Sequence, residues 1–65
     1  IKKYFDFRNK QLTQLKEYDK TVFPQYNHNL SQEKNINVLI KWMYQNKHLF
    51  KNEHHTKIDE MYNNI

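Results

Sequence analysis

The chain has 65 residues, no cysteine, no glycine, one proline, 37% hydrophobic residues and a formal net charge of +4. At that length it is one domain at most and buries only about 60% of the surface its unfolded form exposes. Without thiols, neither a disulfide nor a thiolate-held metal can reinforce it.

Asn, Lys, Ile, Tyr and Phe supply 33 of the 65 residues, and alanine is absent. Those five are written in AT-rich codons, so the simplest source is an AT-rich genome, as in some protists, firmicutes, their phages or large DNA viruses. The ten lysines beside a single arginine, Arg8, therefore reflect codon usage as well as any demand for a basic surface. Neither a secretory leader pattern nor an apolar run near the roughly 20 residues of a membrane span occurs within the sequence. An intracellular location is expected. The first residue is Ile1, not Met, and the chain is expected to be a single helical module, residues 1–65, cut from a longer protein.

The first predicted helix covers residues 3–21. Tyr4, Phe5, Leu12, Leu15, Tyr18 and Val22 recur at steps of three, four and seven, with Lys10, Gln14, Glu17 and Thr21 on the polar side. Asp6 near the start and Lys20 near the end suit the helix dipole. Pro24 removes a backbone donor and disfavours helix at Phe23, so residues 22–30 read as a linker whose aromatics, Phe23 and Tyr26, fold back onto the helices. The second helix, 32–47, starts after Ser31, a good N-cap, with Glu33 in its first turn. Its apolar face is Ile36, Leu39, Ile40 and Met43, flanked by Val38 and Trp42. Leu49 and Phe50 fill a short connection. The third helix, 53–64, carries Ile58, Met61, Tyr62 and Ile65 at the same spacing. The fold class is all-α, a three-helix arrangement.

Few residues can carry chemistry. His28, His48, His54 and His55 are the candidate metal ligands, but neighbours on a helix point about 100° apart, so His54 and His55 do not share a face, and zinc needs three or four converging ligands. His55 and Asp59 make only a weak pair. Glu53, Asp59 and Glu60 sit on a short helix with no pocket to perturb them, and a phosphate loop is impossible without glycine. No catalytic residue, metal or cofactor is assigned. Lys41, Lys47, Lys51 and Lys57 interleave with Trp42, Tyr44 and Phe50, a pattern suited to nucleic-acid phosphates. Lys2, Lys3, Arg8, Lys10 and Lys16 form a second basic group. The bland reading of either group is a solvated lysine face. Phe5, Phe7, Leu12 and Leu15, with Trp42, give more apolar surface than one small core needs, and Phe7 and Trp42 are expected to face outward together as a partner-binding surface. The bland reading here is closure of the chain's own core.

The stretch VLIKWMYQNKHLFKNEHHTKIDEM, Val38 to Met61, resembles the first two helices of a homeodomain of the atypical class with an extended loop. Leu39, Trp42 and Met43 take the family's apolar places, Asn46 and Lys47 its polar and basic ones, Leu49 to Asn52 its loop, and Lys57 and Ile58 the lysine of an acidic–lysine pair and the apolar residue of the second helix. Thr56 stands where the family has an acidic residue, a helix and linker replace the basic N-terminal arm, and the base-reading third helix with its Trp-Phe-x-Asn-x-Arg signature would fall beyond Ile65. The resemblance implies a homeobox-like accessory subunit of a chromatin or DNA-modifying assembly, such as the adenine-methyltransferase complexes of protists.

The expected function is thus a non-catalytic accessory module of a nuclear, DNA-acting complex. Its partners would be protein subunits and double-stranded DNA, with no membrane and no small-molecule substrate. Two alternatives stand beside it: a purely structural docking segment of a large assembly, and a homodimeric phage or viral regulator.

Overall fold

Ser31 fixes where the longest helix begins. Its hydroxyl accepts the Lys34 N–H at 3.2 Å, satisfying one of the donors a helix start leaves free. The computed structural model describes residues 1–65 and contains three α-helices: α1, Lys2–Leu12; α2, Gln32–Gln45; and α3, His55–Asn63. Single 3-10 turns occur at Lys20–Val22, Lys47–Leu49 and Asn52–His54. There is no strand, and Leu15 and Phe50 form one isolated antiparallel bridge. The all-α, three-helix arrangement read from the sequence is the fold of the chain.

The core is organised around α2, which packs against both α1 and α3. Leu39 and Met43 are fully buried, Ile40 is buried and Ile36 is half-buried against the core. Around them gather Tyr4 and Leu12 of α1, Leu15, Phe23 and Phe50 of the connections, and Ile58 of α3. Burying a side chain of this size contributes about 1.5–3 kcal/mol, so three residues outside any α-helix carry a large share of the stability.

The first helix is shorter than its apolar spacing predicts. It ends at Leu12, and the Thr13 hydroxyl donates to the Lys10 carbonyl at 2.7 Å, meeting one of the acceptors that a helix end leaves open. A helix over 3–21 would run about 28 Å, nearly the whole 32 Å long axis of the molecule. It would carry Leu15 away from Phe50. Instead the chain bends, and two backbone bonds tie the bend to the far connection: Lys16 N–H to Leu49 O at 2.9 Å and Lys51 N–H to Gln14 O at 3.1 Å. Tyr18, assigned to the apolar stripe of that helix, is 66% exposed. The next turn has its own cap, since Asp19 accepts from both the amide and the hydroxyl of Thr21. Those two bonds hold the Asp19 carboxyl below its ordinary 3.8.

The Pro24 linker folds back as expected. Phe23 packs edge-on to Trp42, with ring centroids 5.2 Å apart, and lies near-parallel to Phe50 at 6.2 Å. Tyr26 packs edge-on to Tyr4 at 5.0 Å. Asn35, buried on α2, anchors the linker's end. Its Oδ1 accepts the Asn27 N–H at 2.8 Å, and its Nδ2 faces the carbonyls of Asn27, Leu30 and Ser31 at 3.0, 3.3 and 2.9 Å. Before α3, the Asn52–His54 turn leads directly into the helix. His55 then bonds the Phe50 carbonyl through Nε2 at 3.1 Å.

Candidate nucleic-acid interface

The chain carries ten lysines and one arginine against seven carboxylates, yet only one of those cations is paired, Lys47 with Asp59 at 2.8 Å; His54 also meets Glu53 at 3.2 Å. Lys2, Lys3, Lys10, Lys16, Lys20, Lys34, Lys41, Lys51 and Lys57 are all exposed, and none has a carboxylate within ion-pairing distance. Exposed ammonium groups of this kind stay hydrated and mobile, and meeting a phosphate costs them no existing contact.

The four lysines singled out for phosphate contact do not form one set. Lys41 lies on the outer side of α2, seven residues after Lys34 and therefore on the same flank. Lys57 is exposed on α3, and Lys51 is exposed in the connection before it. Lys47 differs from these three. It is half-buried, bound to Asp59, and lies 4.7 Å from the centroid of the Tyr44 ring. Its ammonium is held above its ordinary 10.5, chiefly by the hydrogen bond to Asp59. Lys47 thus joins the end of α2 to α3. The Tyr44 and Tyr62 rings, stacked at 4.0 Å and 7°, reinforce the same junction.

The expected partner-binding surface is largely inside the molecule. Leu12 and Leu15 are buried in the core, and Phe7 and Trp42 are half-buried against it. Trp42 does not pair outward with Phe7, because Phe23 and Phe50 enclose it from the linker and the loop. Only Phe5 of this group stays open, at 40% exposure. Its ring lies near-parallel to Tyr26 at 6.0 Å, and Tyr26 in turn meets His28 at 5.0 Å.

Other features offer less. An open cleft of about 330 Å³ lies between the bend after α1 and the Lys47–Leu49 turn, lined by apolar Leu15, Val22 and Leu49 and by Lys16, Glu17, Asp19 and His48. The Asp19 carboxylate there is engaged by Thr21. No three His, Asp or Glu side chains come together as a metal set, and no helix is long and apolar enough to cross a membrane. Sequence reasoning missed Arg8 as a structural cation. Its guanidinium donates to the Lys20 carbonyl at 3.1 Å and lies 5.7 Å from the Phe23 ring centroid, across a bend that the helical reading had erased.

No protein-family model, curated protein or solved structure matches this chain. Its class rests on its own fold and surface: a small three-helix module whose lysines are almost all unpaired.

Proposed function

We propose that the chain is a non-catalytic accessory module of a nuclear, DNA-acting complex, in which it contacts nucleic-acid phosphates through its free lysines. The observation that carries this reading is the nine exposed lysines without a carboxylate partner. Six exposed carboxylates, Asp6, Glu17, Asp19, Glu33, Glu53 and Glu60, share the surface, but the unpaired cations outnumber them and lie on several elements, which suits a polyanion. The homeodomain resemblance over Val38–Met61 points the same way; that segment spans the latter part of α2, an irregular connection and most of α3. The docking alternative loses Leu12 and Leu15, which are spent on the core, and keeps exposed Phe5.

Lys41, Lys51 and Lys57 are the test set, with Lys47 left intact because it holds α2 to α3. Each lysine that neutralises a phosphate contributes about −0.9 to the slope of log affinity against log salt on duplex DNA. Reversing all three to Glu is expected to weaken duplex binding and flatten that slope by about 2.7. Unchanged affinity and slope in a variant that still folds by circular dichroism would remove these residues from the interface.

A further inference from the structure

We infer that Phe5, backed by Tyr26 and His28 and flanked by Lys2 and Arg8, is a stacking platform for an unpaired base of a single-stranded nucleic acid. The inference rests on the phosphate-binding reading above and names the form of nucleic acid taken at a second place on the molecule.

Tyr4 takes the core position at the start of α1, so the next residue, Phe5, turns about 100° away and leaves its ring 40% open. The ring is not loose. Tyr4 meets Phe5 edge-on at 5.2 Å and Tyr26 edge-on at 5.0 Å. Tyr4 is fixed in turn, its N–H donating to Gln32 Oε1 at 3.0 Å and its hydroxyl to the Pro24 carbonyl at 3.2 Å. Asn35 pins the backbone of Asn27, between Tyr26 and His28. A preorganised aromatic group stacks without first having to be ordered.

Charge separates this ring from the other exposed aromatics. Lys2 precedes Phe5 by three residues and Arg8 follows it by three, which places both on the same flank of α1. Neither is in an ion pair; Lys2 is exposed and free, Arg8 is half-buried and already donates to the Lys20 carbonyl, and the helix holds four basic residues against Asp6 alone. Tyr18 is more exposed but stands between Glu17 and Asp19, where a phosphate backbone would be repelled. Tyr44 is occupied by Tyr62 and Lys47. An open ring on a helix where four cations outnumber the one adjacent carboxylate, Asp6, is the combination that single-strand binders use: cations track the backbone while π-faces take the bases. In a duplex the base faces are hidden in the stack, so such a ring has nothing to stack on.

The test is fluorescence anisotropy with three labelled probes of equal length: single-stranded oligothymidine, an abasic strand with the same phosphates, and duplex DNA. The native chain is expected to bind oligothymidine about ten-fold more tightly than the abasic strand. Phe5→Ala should remove that preference while leaving abasic-strand and duplex binding in place, and Phe5→Trp should keep it. Circular dichroism of each variant confirms its fold. Equal affinity of the native chain for oligothymidine and the abasic strand overturns the inference while leaving phosphate binding intact, and assigns Phe5 to an apolar protein contact. Failure to bind any of the three probes overturns the phosphate reading together with it.

Discussion

Asn35 carries more of this fold than any other polar side chain. It is buried on α2, accepts one backbone N–H and shares its two side-chain N–H donors among three carbonyls of the linker and helix start. Asn35→Asp keeps the shape but turns an oxygen toward those three carbonyls. The loss should be about 3 kcal/mol or more, as expected for unmet buried polar groups and a buried charge, read as a lower urea midpoint. Tyr4 and Lys47 make a second prediction at this scale. Burial is the main cause that pushes the Tyr4 phenol above its ordinary 10.0, reinforced by Tyr26 and opposed by Arg8. The Asp59 hydrogen bond does the same for Lys47 above 10.5. The folded chain therefore keeps both protons at pH values where the unfolded chain has released them. Their stabilisation is whole below about pH 10 and is lost as pH rises through the raised values. Urea midpoints should fall as pH rises above about 10. Tyr4→Phe should flatten that fall and cost about 1 kcal/mol at neutral pH through the lost bond to the Pro24 carbonyl. A midpoint that stays level across this range would contradict the assignment.

Elements differ in how plainly the sequence announces them. The second helix was legible because each of its signals is local: the Ser31 cap, Glu33 in the first turn, and Ile36, Leu39, Ile40 and Met43 at helical spacing. The end of α1 was not. Tyr18 and Val22 keep the helical spacing after Leu15, but what stops the helix is Leu15 pairing with Phe50, 35 positions away, and spacing cannot reveal such a partner. The importance of Phe50 was hidden for the same reason, since a loop position gives no periodic cue to full burial. Phe50→Ala removes a ring that touches Phe23 and Trp42. Such truncations cost about 3–5 kcal/mol, and a core of this size supplies about as much in total. The variant is expected to lose its helical circular dichroism signal at room temperature, whereas a cooperative melt in that variant would show that the core does not depend on this ring.

Over the whole molecule, the candidate interface was only half legible. The excess of lysine is plain in the composition, but which lysines are free depends on where the fold places the carboxylates. Lys47 and Asp59 are twelve residues apart and meet only because α2 and α3 pack together. The aromatic surplus misled in the opposite direction. Leu12, Leu15 and Trp42 read as spare apolar surface because the sequence does not show that the linker and the Phe50 loop close over them. What remains outside is a surface with unpaired lysines on all three helices, interspersed with exposed carboxylates, and the open ring of Phe5 on the most basic helix, α1. Codon usage alone could supply the lysines, whereas a binding surface would need the fold to place them. A peptide of the same composition in scrambled order would have the charge without the fold.

That contrast gives the most direct measurement: anisotropy of labelled duplex DNA titrated with the native chain and with its scramble, each at low and near-physiological salt. If the fold presents its lysines to phosphate, the native chain binds more tightly than the scramble, and its affinity falls steeply as salt rises. Equal binding by the two would contradict the account, leaving the lysines as a solvated face of a module that works through protein contacts alone.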